Sequence, residues 1–117
     1  MNFSLYADYV KERLGRGSLY DDNGFVIFEF MQNEFLYLVD MYVKPEARNT
    51  KVGSQYLEKI KEIAKENKKT KIITTIDLKA KTKDLALLCA LKGGFHISEG
   101  KNDVLFLTME TIFYDIF

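Results

Sequence analysis

The spacing of apolar positions changes along the chain, and each change marks an element. Phe3, Tyr6, Ala7, Val10 and Leu14 fall at helical spacing over residues 3–14, and Gly15 and Gly17 supply a stop just beyond. Ser18–Asp21 predicts a short strand. Asp22-Asn23-Gly24 predicts a tight turn, because Asn and Gly tolerate the positive φ that tight hairpins use. Phe25–Met31 and Glu34–Val43 are dense in aromatic and β-branched residues and are parted by Gln32-Asn33, which predicts an antiparallel hairpin.

After a loop over Pro45–Thr50 the period returns to that of a helix. Gly53, Tyr56, Leu57, Ile60, Ile63 and Ala64 share one face, with Glu58, Lys59, Glu62, Lys65, Glu66 and Lys69 mostly on the other. Lys71–Ile76 is a β-branched run and predicts a strand. Thr82–Lys92 is helical again but apolar nearly all round, from Leu85 through Leu91, so it is expected to be buried on more than one side, by the fold or by a partner. Gly93-Gly94 ends it, and Phe95–Ser98 and Asp103–Met109 predict two strands about a turn containing Gly100. The order αβββαβαββ implies an α+β fold: a mixed, mostly antiparallel sheet flanked by helices, in a single domain over residues 1–117.

Composition narrows the chemistry. The 117 residues hold one Cys and one His, too few for a disulfide or a Cys/His metal site, so no metal is expected. The sequence points to a reducing, cytoplasmic setting, since no apolar run suits a membrane span and the charged start is unlike a signal peptide. Seventeen basic residues balance seventeen acidic ones, which argues against nucleic-acid binding. The charges are unevenly spread, however. Residues 44–101 carry 14 basic and 7 acidic side chains, and the flanks carry 3 and 10. A basic middle suits either a solvated helix face or a phosphate-bearing ligand.

The stretch from Asp40 to Leu57 favours the ligand. A strand runs through a loop into a helix N-terminus, whose unpaired N–H groups bind phosphate without help from side chains. Lys44, Arg48 and Lys51 add positive charge, and Gly53 lets a ligand come close to the backbone.

This stretch resembles the acyl-CoA-binding motif of the GNAT superfamily of N-acetyltransferases. Met41-Tyr42-Val43, Pro45, Arg48 and Gly53 match it in order and spacing, and further on Ala86, Gly94 and Phe95 match the end of that family's last helix. The element order agrees over essentially the whole chain. The resemblance implies a GNAT-like fold and an acetyl-CoA-dependent N-acetyltransferase that moves an acetyl group directly to a primary amine, on a small molecule or a lysine. It implies that Arg48, Asn49, Thr50, Lys51, Val52, Gly53 and Ser54 cradle the CoA pyrophosphate. Met41, Tyr42 and Val43 would pair with the pantetheine arm where the strands splay. Asp40 is the nearest acid able to take the amine's proton, with solvent exposure or a Lys partner as its alternative.

The chain also departs from the family. Lys51 stands where the first loop glycine is usual, Lys83 where an Asn often lies, and Ala90 where a Tyr commonly protonates the leaving thiolate. These departures leave room for a second reading, a catalytically silent module that binds CoA or a protein. The apolar tail from Thr108 to Phe117 suits docking onto a partner or a homodimer. His96 and Cys89 read as structural.

Overall fold

The computed structural model of the chain describes residues 3–111. Helix α1 (Phe3–Tyr9) runs into a π-helical turn (Val10–Leu14) and stops at Gly15, whose φ of 66° is left-handed. Then come β1 (Gly17–Asp21), β2 (Gly24–Phe30), β3 (Phe35–Val43), a 3-10 turn (Pro45–Ala47), α2 (Val52–Glu66), β4 (Lys71–Asp77), α3 (Lys83–Lys92), β5 (His96–Lys101) and β6 (Val104–Glu110). The strands form one mixed sheet in the order β1-β2-β3-β4-β6-β5. Only β3 and β4 run parallel, as the α2 crossover between them requires. No helix among the described residues is long and apolar enough to cross a membrane.

Both faces of β2 are covered, so Gly24–Phe28 is buried without alternation. Val26 and Phe28 join Leu36, Leu38, Ile72 and Leu107 in the main core beneath α2, which contributes Tyr56, Leu57, Ile60 and Ala64. Phe25 and Ile27 face the other way, onto Val10 and the rings of Phe3 and Tyr6.

Three sequence expectations change. The β5–β6 turn is Asn102-Asp103, both left-handed (φ 52° and 64°), while Gly100 lies within β5 opposite Leu105. Two successive positive φ values make a type I′ hairpin, which Asn and Asp tolerate through their short polar side chains. The β1–β2 turn uses no positive φ. It is held by the Asn23 N–H donating to Asp21 Oδ1 at 2.8 Å, and Gly24 is needed because a Cβ there would overlap the Tyr42 carbonyl. Helix α3 buries only Ala90 fully, and Leu85, Leu88 and Leu91 remain roughly half exposed. Of the apolar tail, Thr108–Glu110 belongs to β6 and residues 112–117 lie outside the described residues.

Candidate acyl-CoA site

Strands β3 and β4 pair only from Phe35↔Lys71 to Leu38↔Thr74, then part. The cause is a β-bulge. Ile27 pairs with Asp40 and Phe28 with Leu38, which leaves Val39 as an extra residue that bends β3 away. Beyond the fork β3 pairs with β2 alone, and β4 continues against β6. At the fork Thr74 Oγ1 donates to the Leu38 carbonyl at 2.9 Å, and the Tyr37 and Thr75 hydroxyls lie 3.3 Å apart.

The fork opens into a groove of about 490 Å³, a size usual for small-molecule sites. One wall is Met41–Val43; the floor is Ala47–Thr50 with Gly53 and Ser54. The facing wall is Thr82, just before α3, and Leu85, Ala86, Leu88, Cys89 and Lys92 on it. The structure therefore gathers Met41, Tyr42, Val43, Arg48, Asn49, Thr50, Gly53 and Ser54 around one space. Two anticipated members fall outside it: Lys51 is exposed, and Val52 turns its side chain onto the core.

Alternation along β3 assigns each side chain its task. Met41 and Val43 pack on the main core side, whereas the Tyr42 ring stacks on Phe25 at 5.6 Å on the opposite face, so the groove meets chiefly its main chain. Arg48 folds back: its Nε donates to the Val43 carbonyl at 2.9 Å and its guanidinium lies 5.7 Å from the Tyr42 ring. This braces the loop, and Asn49 (φ 61°) then turns it toward α2. Thr50 Oγ1 donates to the Ala47 carbonyl and accepts from Val52 N–H. The first helical bond runs from Gln55 N–H to the Lys51 carbonyl. The N–H groups of Gly53 and Ser54 have no hydrogen-bond partner among the described residues, and the Lys51 side chain does not cap this helix end. A Cβ on Gly53 would sit 3.3 Å from Cys89 Sγ, so this glycine also sets the approach of α2 to α3.

Asp40 is exposed, and its Oδ1 accepts from the Met41 N–H at 2.9 Å. It lies at the fork, lining a second, smaller cavity with Leu38, Val39 and Met41. Burial pushes the Cys89 thiol up from its ordinary value against the opposing pull of Lys92, which keeps it protonated at neutral pH. Two of the acidic flank residues already have partners. Glu34 pairs with Lys71 at 3.1 Å beside the start of β3, roughly 26 Å of strand from Val43, while Asp21 takes the Tyr56 hydroxyl at 2.5 Å. Among the described residues no group of three or more His, Cys, Asp or Glu side chains could hold a metal ion.

Sequence reasoning missed Thr75 at the fork, Thr82 just before α3, and Leu85, Leu88 and Lys92 on α3. The signal was the even apolarity of α3, which reads as core until the helix is seen edge-on to a groove.

Comparison with known proteins bears on this geometry. The family model described as acetyltransferase (GNAT) family matches residues 3–86. The fold is similar to that of PaiA N-acetyltransferase from Thermoplasma acidophilum, solved with coenzyme A (TM-score 0.72, 16% identity, covering 92% of this chain and 70% of that one). It is similar to a Bacillus subtilis acetyltransferase, also solved with CoA (0.71, 18%, 94% and 93%). A GNAT-family acetyltransferase from Staphylococcus aureus Mu50 gives 0.71 at 20% identity, over 90% and 78% of the two chains. No curated protein matches the chain in sequence.

Proposed function

Because the chain belongs to the acetyltransferase (GNAT) family, we propose that residues 1–117 form one domain that binds acetyl-CoA in the groove and acetylates a primary amine, on a small molecule or a lysine. The observation that carries this reading is the continuity of the groove from the open N–H groups of Gly53 and Ser54 to the fork between β3 and β4.

The residues present fit such a ligand. A helix N-terminus with the Gly53 and Ser54 N–H groups open offers donors and partial positive charge to a pyrophosphate, and Lys92 on the facing wall adds a full charge. Beyond the fork β3 has lost its partner on the β4 side, so its main chain is free to pair with an amide-bearing arm. Acetyl-CoA, when bound, supplies an activated acetyl thioester. Asp40 is the proposed base: it takes one proton from the incoming ammonium, the neutral amine then forms the C–N bond as the C–S bond breaks, and the amine's second proton passes through solvent to the leaving sulfur. The Met41 N–H, now held by Asp40, becomes available to polarise a carbonyl when that carboxylate turns to the amine. A cytoplasmic setting accords with the single cysteine.

A thermal-shift titration tests the binding step. Acetyl-CoA at a hundredfold excess over its Kd should add about 2.7 kcal/mol of stability, a rise of several degrees. Gly53→Val should remove most of it, because a branched side chain would crowd Cys89 and cover the helix end. No shift at millimolar acetyl-CoA would overturn the proposal. A second reading, a CoA-binding module without turnover, draws on the commitment of the Asp40 carboxylate to its own strand. Thermal stabilisation without thiol release across a panel of amines would favour it.

A further inference from the structure

At the apex of the fork, beyond the groove, lies an inner cavity of about 150 Å³. Met41 and Ala86 line both spaces, so the two adjoin at these side chains. Its deep wall is apolar and well buried, made by Leu38, Leu57, Ile76, Ala90 and Phe95. Thr74 and Thr75 also line it, but their hydroxyls are already engaged. Thr74 Oγ1 is spent on the Leu38 carbonyl, Thr75 Oγ1 lies against the Tyr37 hydroxyl, and no buried side-chain N or O among the described residues lacks a partner. Nothing in the deep wall asks for a polar ligand, and Asp40 stands only at the rim.

A cavity of ~150 Å³ with a wall of Leu, Ile and Phe has room for a guest the size of benzene. A two-carbon acetyl group would leave most of that volume empty, and the lining atoms would forgo their dispersion contacts. We propose that the inner cavity is an acyl-chain subsite, and that this protein prefers short-chain acyl-CoA thioesters of about four to six carbons over acetyl-CoA. The inference rests on the reading of the groove as the CoA site. Ala90, buried on α3 and lining the cavity with Leu57, Ile76 and Phe95, sets the capacity. The bond changes are those of acetyl transfer. The amine forms its C–N bond to the acyl carbon, the C–S bond breaks, the amine's proton goes to the base, and solvent protonates the sulfur.

Calorimetric titration of the intact chain with CoA and with acetyl-, propionyl-, butyryl- and hexanoyl-CoA, without acceptor, tests this. Each methylene buried should tighten binding about fourfold, with the gain levelling off by hexanoyl-CoA. Ala90→Leu, or Ala90→Val should the longer side chain prevent folding, should bring the butyryl-to-acetyl affinity ratio close to one. Equal or falling affinities along the series, with CoA itself still bound, would overturn the subsite and leave the groove reading standing. A chain-length gain that persists in a folded, filled variant would remove the subsite from this cavity. No binding of CoA at all would overturn both readings together.

Discussion

Helices α2 and α3 flank the same groove and are both rich in apolar residues, yet they use them in opposite ways. On α2 the apolar residues share one face, and Tyr56, Leu57, Ile60 and Ala64 are buried. On α3 they encircle the helix, and only Ala90 is fully buried. Leu85 and Leu88 line the groove at about half exposure. The same residue types thus supply folding energy on one helix and a groove wall on the other. Net burial, not apolar content, separates the two roles.

That contrast can be broken where it is strongest. Ile60 is fully buried in the main core. Ile60→Ala should cost about 3 kcal/mol, lowering the melting temperature by on the order of 10 °C in a calorimetric scan. A loss as small as that of a surface substitution would show that α2 does not carry the core.

A smaller effect is expected where α2 meets the β1–β2 turn. Tyr56 donates to Asp21, and burial together with that carboxylate raises the tyrosine well above its ordinary value. For Asp21, burial acts upward but is outweighed by the Tyr56 hydroxyl and the N–H groups of Asn23 and Gly24, so its carboxyl is lowered. A lowered carboxyl contributes stability above its unfolded value near ~4, and that stability is lost as pH falls through the folded value. The raised tyrosine contributes below about pH 10 and loses its contribution on further alkalinisation. Tyr56→Phe should cost about 1 kcal/mol, since water around the exposed Asp21 screens the bond, and urea melts against pH should flatten at both ends. Unchanged pH dependence would detach Asp21 from α2.

The smallest stability effect belongs to α3. Leu88→Gln should change stability by less than ~0.5 kcal/mol, yet weaken acyl-CoA binding several-fold, because the half-exposed leucine faces the groove. A large stability loss with unchanged binding would reverse the assignment of the two helices.

The sequence by itself determined most of the elements and the heart of the groove. The 3.6-residue pattern from Gly53 to Ala64 and the aromatic runs flanking Gln32-Asn33 encode local geometry directly, because a helix face and a strand face are set by period alone. The loop from Pro45 to Thr50 and the helix start after it were legible for the same reason: a helix N-terminus needs only its own backbone to present donors. What the tertiary structure decided depends on residues far apart in the chain. The fork requires Val39 to bulge against β2 while β3 pairs with a strand 36 residues further on at Leu38↔Thr74. Neither event leaves a local mark. The turn at Asn102-Asp103 was outbid by a nearby glycine, since several residue types tolerate left-handed backbone. The leucines of α3 could be core or wall by composition, and only the divergence of β3 from β4 leaves the open space that makes them a wall.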